Sequence, residues 1–168
     1  MKINKYIMNL EINKNYSYVL LIALALYLTQ QLILLIPVIQ MRNKTKIKAP
    51  TLYPRDSEIS KLKLSEETVD KYMRTQRAHQ NNVELMSVFM PLFLIIGLFK
   101  PTETAIGGLI VLIFRIIGGI GYSFKKRMYG APFHLGELYI LYLGFLIVYE
   151  LYTKGDSLVN KELSIPTN

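Results

Sequence analysis

Residues 77–103 read RAHQNNVELMSVFMPLFLIIGLFKPTE, and the fold follows from how this stretch is read. It passes from the polar octet Arg77-Ala78-His79-Gln80-Asn81-Asn82-Val83-Glu84 into an apolar run, Val83 to Phe99, that stops at Lys100-Pro101-Thr102-Glu103. As a helix the run is long enough to cross a hydrocarbon layer of about 30 Å, and the polar turns before it extend the helix beyond the bilayer. Pro91 inside the run predicts a kink or compensation by neighbouring helices. Pro101 ends one helix and suits the first turn of the next, so two spans form an antiparallel hairpin. At about 100° per residue, Arg77, Gln80, Asn81 and Glu84 share one helical face while His79 points to the other side. One helix would therefore serve two neighbouring surfaces.

Working outward, 51% of the 168 residues are apolar. The mean hydropathy is +0.26 despite 20 Lys and Arg. The apolar residues must therefore be concentrated in blocks, which is a membrane-protein pattern. Spans are expected at about 16–41, 72–99, 102–124 and 133–153, giving an all-α, polytopic, four-helix antiparallel bundle in a single membrane domain over 1–168. Gln30 and Gln31 interrupt the first span and are expected to face other helices, because an amide in lipid needs a partner. Residues 42–71 read as a long polar loop broken by Pro50 and Pro54, and Lys125-Lys126-Arg127 as a basic turn. The small-residue run Gly118-Gly119-Ile120-Gly121 allows close helix packing. No strand precedes it, so it is not a phosphate loop.

The net charge of +8 belongs to residues flanking apolar spans rather than to a nucleic-acid surface. The loop holds Arg42, Lys44, Lys46, Lys48, Arg55, Lys61, Lys63 and Lys71, against Lys100 alone in the opposite connection. The positive-inside rule places both basic loops in the cytosol. The chain has no cysteine, so any thiol chemistry must use a thiol brought by a small molecule.

Hairpin geometry brings Arg77, Asn81 and Glu84, at the start of the second span, level with Tyr122, Lys126 and Arg127 at the end of the third. A polar, cation-rich pocket suits a small anionic or zwitterionic ligand: guanidinium for carboxylates, carboxylate for an ammonium, amides for peptide groups. Arg115, within the third span, must be paired to be tolerated, and Glu84 is one candidate partner. His79 lacks a nucleophile and His134 stands isolated, so neither a triad nor a metal site is expected.

The motif Arg-Ala-His-Gln-Asn-x-x-Glu at 77–84, Arg115 followed by Gly121-Tyr122, and the segments Arg42–Lys46 and Pro50–Tyr53 resemble the MAPEG family, membrane-associated proteins in eicosanoid and glutathione metabolism. The likeness is to its microsomal glutathione transferase branch and covers about residues 16–152. It implies a homotrimer in the endoplasmic reticulum membrane, with glutathione as co-substrate bound between subunits near the cytosolic face. The second substrate would be a hydrophobic electrophile or a lipid hydroperoxide. Carried over by position, Arg77, Asn81, Glu84 and Tyr122 bind glutathione, Arg42 and His79 contribute from a neighbouring subunit, and Arg127 stabilises the thiolate, with Lys126 as the fallback. The alternative within the family is a non-catalytic lipid-binding scaffold. Gly118 stands where relatives commonly have a tyrosine, the turn after Tyr122 is shorter, and Leu85 replaces an aromatic of the leukotriene-synthesising branch.

Overall fold

The computed structural model describes residues 13–163; Lys2, Lys5, Glu11 and the tail beyond Leu163 lie outside the described residues. All regular elements among those residues are helical. The first, α1, spans Tyr16–Thr45, and the short α2 spans Asp56–Lys61. Then come α3, Glu66–Phe99, α4, Pro101–Ser123, and α5, Phe133–Leu163, with a single 3-10 turn, Arg127–Gly130, leading into α5. The four long helices are apolar enough to cross a membrane and form the antiparallel bundle.

In α1 the helix loosens to π geometry over Thr29–Leu35 before returning to α at Ile36. Pro37 supplies the reason. Its nitrogen carries no hydrogen, and its ring collides with the carbonyl four residues back, which a widened turn relieves. The wide turn leaves Thr29, Gln30 and Leu34 buried against the bundle. Gln30 thus faces another helix, as the sequence suggests, while Gln31 is only partly buried.

The core is built from side chains that interlock between helices, since lipid gives apolar residues no reason to leave it except packing. Val19, Ile22 and Leu26 of α1, Phe89, Phe93 and Ile96 of α3, Val111 of α4 and Ile140, Leu143 and Ile147 of α5 form one cluster. Phe89 and Phe93 stack with ring centroids 5.3 Å apart on either side of Pro91, through which α3 runs unbroken. The helix α4 is central and packs against α1, α3 and α5.

The polar region after the first span is more ordered than a long loop. α1 continues past Met41 to Thr45, ending at Lys46 in a left-handed conformation. Ile47 then folds back, fully buried, onto Met41 and Tyr72. The Tyr72 hydroxyl donates to the Thr51 carbonyl at 2.7 Å, and Tyr53 donates to Gln80 Oε1 at 3.2 Å. α3 begins at Glu66, six residues before the expected boundary, because Ser65 caps it by accepting from the Thr68 amide at 3.3 Å. Glu66 and Glu67 in the first turn favour the helix dipole there. At the far end of the bundle Lys100 pairs with Glu150 at 3.1 Å, and Asn15 donates to Thr102 at 3.1 Å.

Phe93 is fully buried, so Phe93→Ala is expected to cost about 3 kcal/mol. The partly exposed Lys100–Glu150 pair contributes at most about 1 kcal/mol. Thermal unfolding in detergent should show a large drop for Phe93→Ala and almost none for Glu150→Gln.

Candidate functional site

The polar residues of α3 divide between two faces, as their spacing requires. On one face Arg77 pairs with Glu84 seven residues on, Nη1 to Oε1 at 3.3 Å, so Glu84 serves Arg77 and is not the partner of Arg115. Arg115 is 8% exposed and is held by neutral groups. Its Nε donates to Asn82 Oδ1 at 2.8 Å, its Nη1 donates to Asn81 Oδ1 at 3.0 Å, and its guanidinium lies 4.8 Å from the centre of the Phe133 ring. Asn82, 1% exposed, passes the chain on by donating to Gln30 Oε1 at 2.6 Å. Four polar side chains from α1, α3 and α4 thus form one network between the helices.

Asn82 is the residue that reading the sequence missed. It falls next to the face argued from Arg77 and Asn81, and nothing in helical spacing says which of two adjacent amides turns inward. Gln30 and Arg115, each a polar group inside a span, were the available signal that a third partner stood between them.

Two adjoining cavities lie at this end of the bundle. The inner one, about 310 Å³, is walled by Asn81, Arg115, Phe114, Gly118, Phe133 and His134. The outer one, about 510 Å³, is walled by Tyr53, Asp70, Arg74, Arg77 and Lys125. Tyr122, Arg127 and Met128 line both. Of the residues singled out from the sequence, Arg77, Asn81, Tyr122 and Arg127 therefore meet here. Glu84 reaches the site only through its pair with Arg77. Lys126 lines neither cavity and stands 5.9 Å from the Tyr129 ring. His134 is not isolated: its Nδ1 lies 2.7 Å from Glu137 Oε2 and its ring lies against Phe133.

Arg42 and His79 are elsewhere. Arg42 donates to the Thr51 carbonyl at 3.0 Å and lies 5.8 Å from the Tyr72 ring centre. With its oxygen turned toward the guanidinium, the Gln76 amide accepts from Arg42 Nε and Nη2, each at 3.2 Å. Tyr72, Gln76 and His79 are spaced four and three apart and so share a helical face. That face is separate from the one carrying Arg77 and Asn81.

Around the outer cavity four cations, Arg74, Arg77, Lys125 and Arg127, face a single acid, Asp70. Asp70 bonds Arg74 within the helix and Lys125 across it, the latter at 3.3 Å. The excess of positive charge draws an anionic ligand to this mouth.

The turn that delivers Arg127 is a tight helix ending. Lys126 N–H donates to the Gly121 carbonyl at 2.8 Å and Lys125 N–H to the Tyr122 carbonyl at 3.3 Å, with Lys125 at φ 60°. This is the left-handed cap normally filled by glycine. The turn then presses back onto α4 at Gly118, where an added Cβ would stand 3.1 Å from the Gly130 Cα. No larger side chain fits at 118 unless residues 127–130 move. The short turn and the glycine are therefore one feature.

A lysine in the left-handed region costs about 1 kcal/mol relative to glycine, whereas its bond to Asp70 is exposed and screened by solvent, so it offsets little of that. Lys125→Gly is accordingly expected to raise the thermal midpoint in detergent, and a fall would show that the tether to Asp70 dominates.

No solved structure matches the chain. A family model described as the MAPEG family matches residues 20–149. The match runs from the first span into the fourth and takes in the 77–84 motif, the buried arginine and the basic turn. With most of its length so matched and four helices fit to cross a membrane, the chain belongs to the MAPEG family and is an integral membrane protein.

Proposed function

We propose that this protein is a membrane-bound glutathione S-transferase with glutathione-dependent peroxidase activity, of the branch that includes microsomal glutathione S-transferase 3. The observation that carries the reading is the pair of adjoining cavities that share Tyr122 and Arg127 in their walls and whose mouth holds an excess of cations. Glutathione is a tripeptide with two carboxylates, one ammonium and a thiol. Arg77 suits a carboxylate, Glu84 beside it the ammonium, and Asn81 and Tyr122 the peptide groups.

Arg127 activates the thiol. A free thiol with a pKa near 8.5 is only a few per cent ionised at neutral pH, and a neighbouring cation increases the thiolate fraction. In conjugation the thiolate displaces a leaving group from an electrophile dissolved in the bilayer, forming a thioether. In peroxide reduction it attacks the distal oxygen of the hydroperoxide, giving an alcohol and a sulfenic acid. A second glutathione then converts the sulfenic acid to a disulfide and water. Lys126 is the fallback for this role. Arg42 near the end of α1 and His79 on the opposite face of α3 serve a neighbouring subunit's glutathione in a homotrimer. The basic loops face the cytosol, in the endoplasmic reticulum membrane.

A second reading is favoured by a different observation. Between α3 and α5 runs an apolar groove of about 410 Å³ walled by Leu92, Ile95, Phe99, Phe145 and Val148. Such a groove suits an acyl chain, as in a lipid-presenting scaffold resembling 5-lipoxygenase-activating protein.

Glutathione-dependent conjugation and hydroperoxide assays on detergent-purified protein separate the two, since the scaffold lacks both activities. Arg127→Ala is expected to lower kcat about a hundredfold, the scale of losing one preorganised charge partner, with the glutathione KM changed only a few-fold. The rising limb of its rate–pH profile should also move to higher pH, because removing the cation returns the thiol toward its ordinary pKa. Unchanged kcat in this variant would transfer the role to Lys126.

A further inference from the structure

Arginine has only donors, so it dictates how every amide around it is turned. Asn81 and Asn82 must each offer an oxygen to Arg115, and both do, at 3.0 and 2.8 Å. Amide orientation is usually ambiguous, but here the donor-only partner removes the ambiguity. Asn82, its oxygen used, donates from Nδ2 to Gln30. Asn81 lines the inner cavity, and with its oxygen bonded to Arg115 in the same way its Nδ2 is the group left to donate.

Among the described ion pairs none includes Arg115; the Glu137 carboxylate, which bonds His134, acts on it only from beyond ion-pair distance, and the hydrogen bonds of Arg115 go to amides. Cation and amide hydrogens together make this wall a donor surface. Gln30 and the Phe133 ring brace it from either side.

From this we infer that Arg115 is a positioning residue that, braced by Asn82 and Gln30, locks Asn81 as a hydrogen-bond donor toward an anionic or carbonyl oxygen of the bound peptide. The inference rests on the glutathione reading and adds the polarity of the contact at Asn81 and the origin of that polarity. Arg115 itself need not touch glutathione. A lysine at 115 keeps the charge but offers a single nitrogen where the guanidinium presents a fork, so it cannot hold both amides.

The test uses the full-length protein in detergent, titrated calorimetrically with glutathione, with kcat measured at saturating glutathione and the thermal midpoint recorded for each variant. Asn81→Asp keeps the acceptor for Arg115, and so the fold, but replaces the donated hydrogens with a repelling charge. Its Kd should rise at least about tenfold with the thermal midpoint held. Arg115→Lys should raise Kd several-fold while leaving kcat at saturation within about twofold, the split expected of a residue that orders the ground-state contact. Asn81→Asp binding within about twofold of wild type would overturn the donor assignment. Arg115→Lys binding glutathione as tightly as wild type would overturn the positioning role. Wild-type protein that binds no glutathione would remove the glutathione reading and this inference with it, an outcome distinct from either variant failing alone.

Discussion

A guanidinium buried inside a membrane helix constrains everything around it. Left without hydrogen-bond acceptors, Arg115 would cost several kcal/mol in an apolar surrounding. The chain meets that cost with amide oxygens and an aromatic face in direct contact, and among the described residues no carboxylate comes within ion-pair distance. Amides carry their own donors, and those donors must be used in turn. Asn82 therefore reaches across to Gln30, and the need of one charge ends by fixing three helices relative to one another. The π turn in α1 belongs to the same arrangement, since the register it sets leaves Gln30 buried where that bond is made.

A second constraint is steric. Gly118 and Gly130 meet backbone to backbone, which lets the short turn after α4 fold tightly under the cavities and carry Arg127 to their common wall. The turn is sharp enough to force Lys125 into a left-handed conformation. A side chain at 118 would press on the Gly130 backbone and need the turn displaced, so the glycine and the tight turn fit one another.

Between these two constraints α3 acts as a partition. One face carries the Arg77–Glu84 pair and Asn81 toward the cavities. The other carries Tyr72 and Gln76, which hold Arg42 and the strap of residues 46–53. Charge is gathered at one mouth, where the cations Arg74, Arg77, Lys125 and Arg127 meet, while at the opposite end Lys100 is paired with Glu150.

By itself the sequence determined the four spans, the hairpin at Pro101, the two faces of α3 and the meeting of Arg77 and Asn81 with Tyr122 and Arg127. These depend on hydrophobic blocks, on proline's missing hydrogen and on helical periodicity, all of which are local. Only the tertiary structure decided that Arg115 bonds Asn81 and Asn82 and not Glu84, that Asn82 and not its neighbour turns to Gln30, and that Gly118 exists to receive the turn. Those outcomes depend on depth along the bundle and on rotation between helices. Both are set by side chains distant in the chain, and a single helix's spacing carries no record of them.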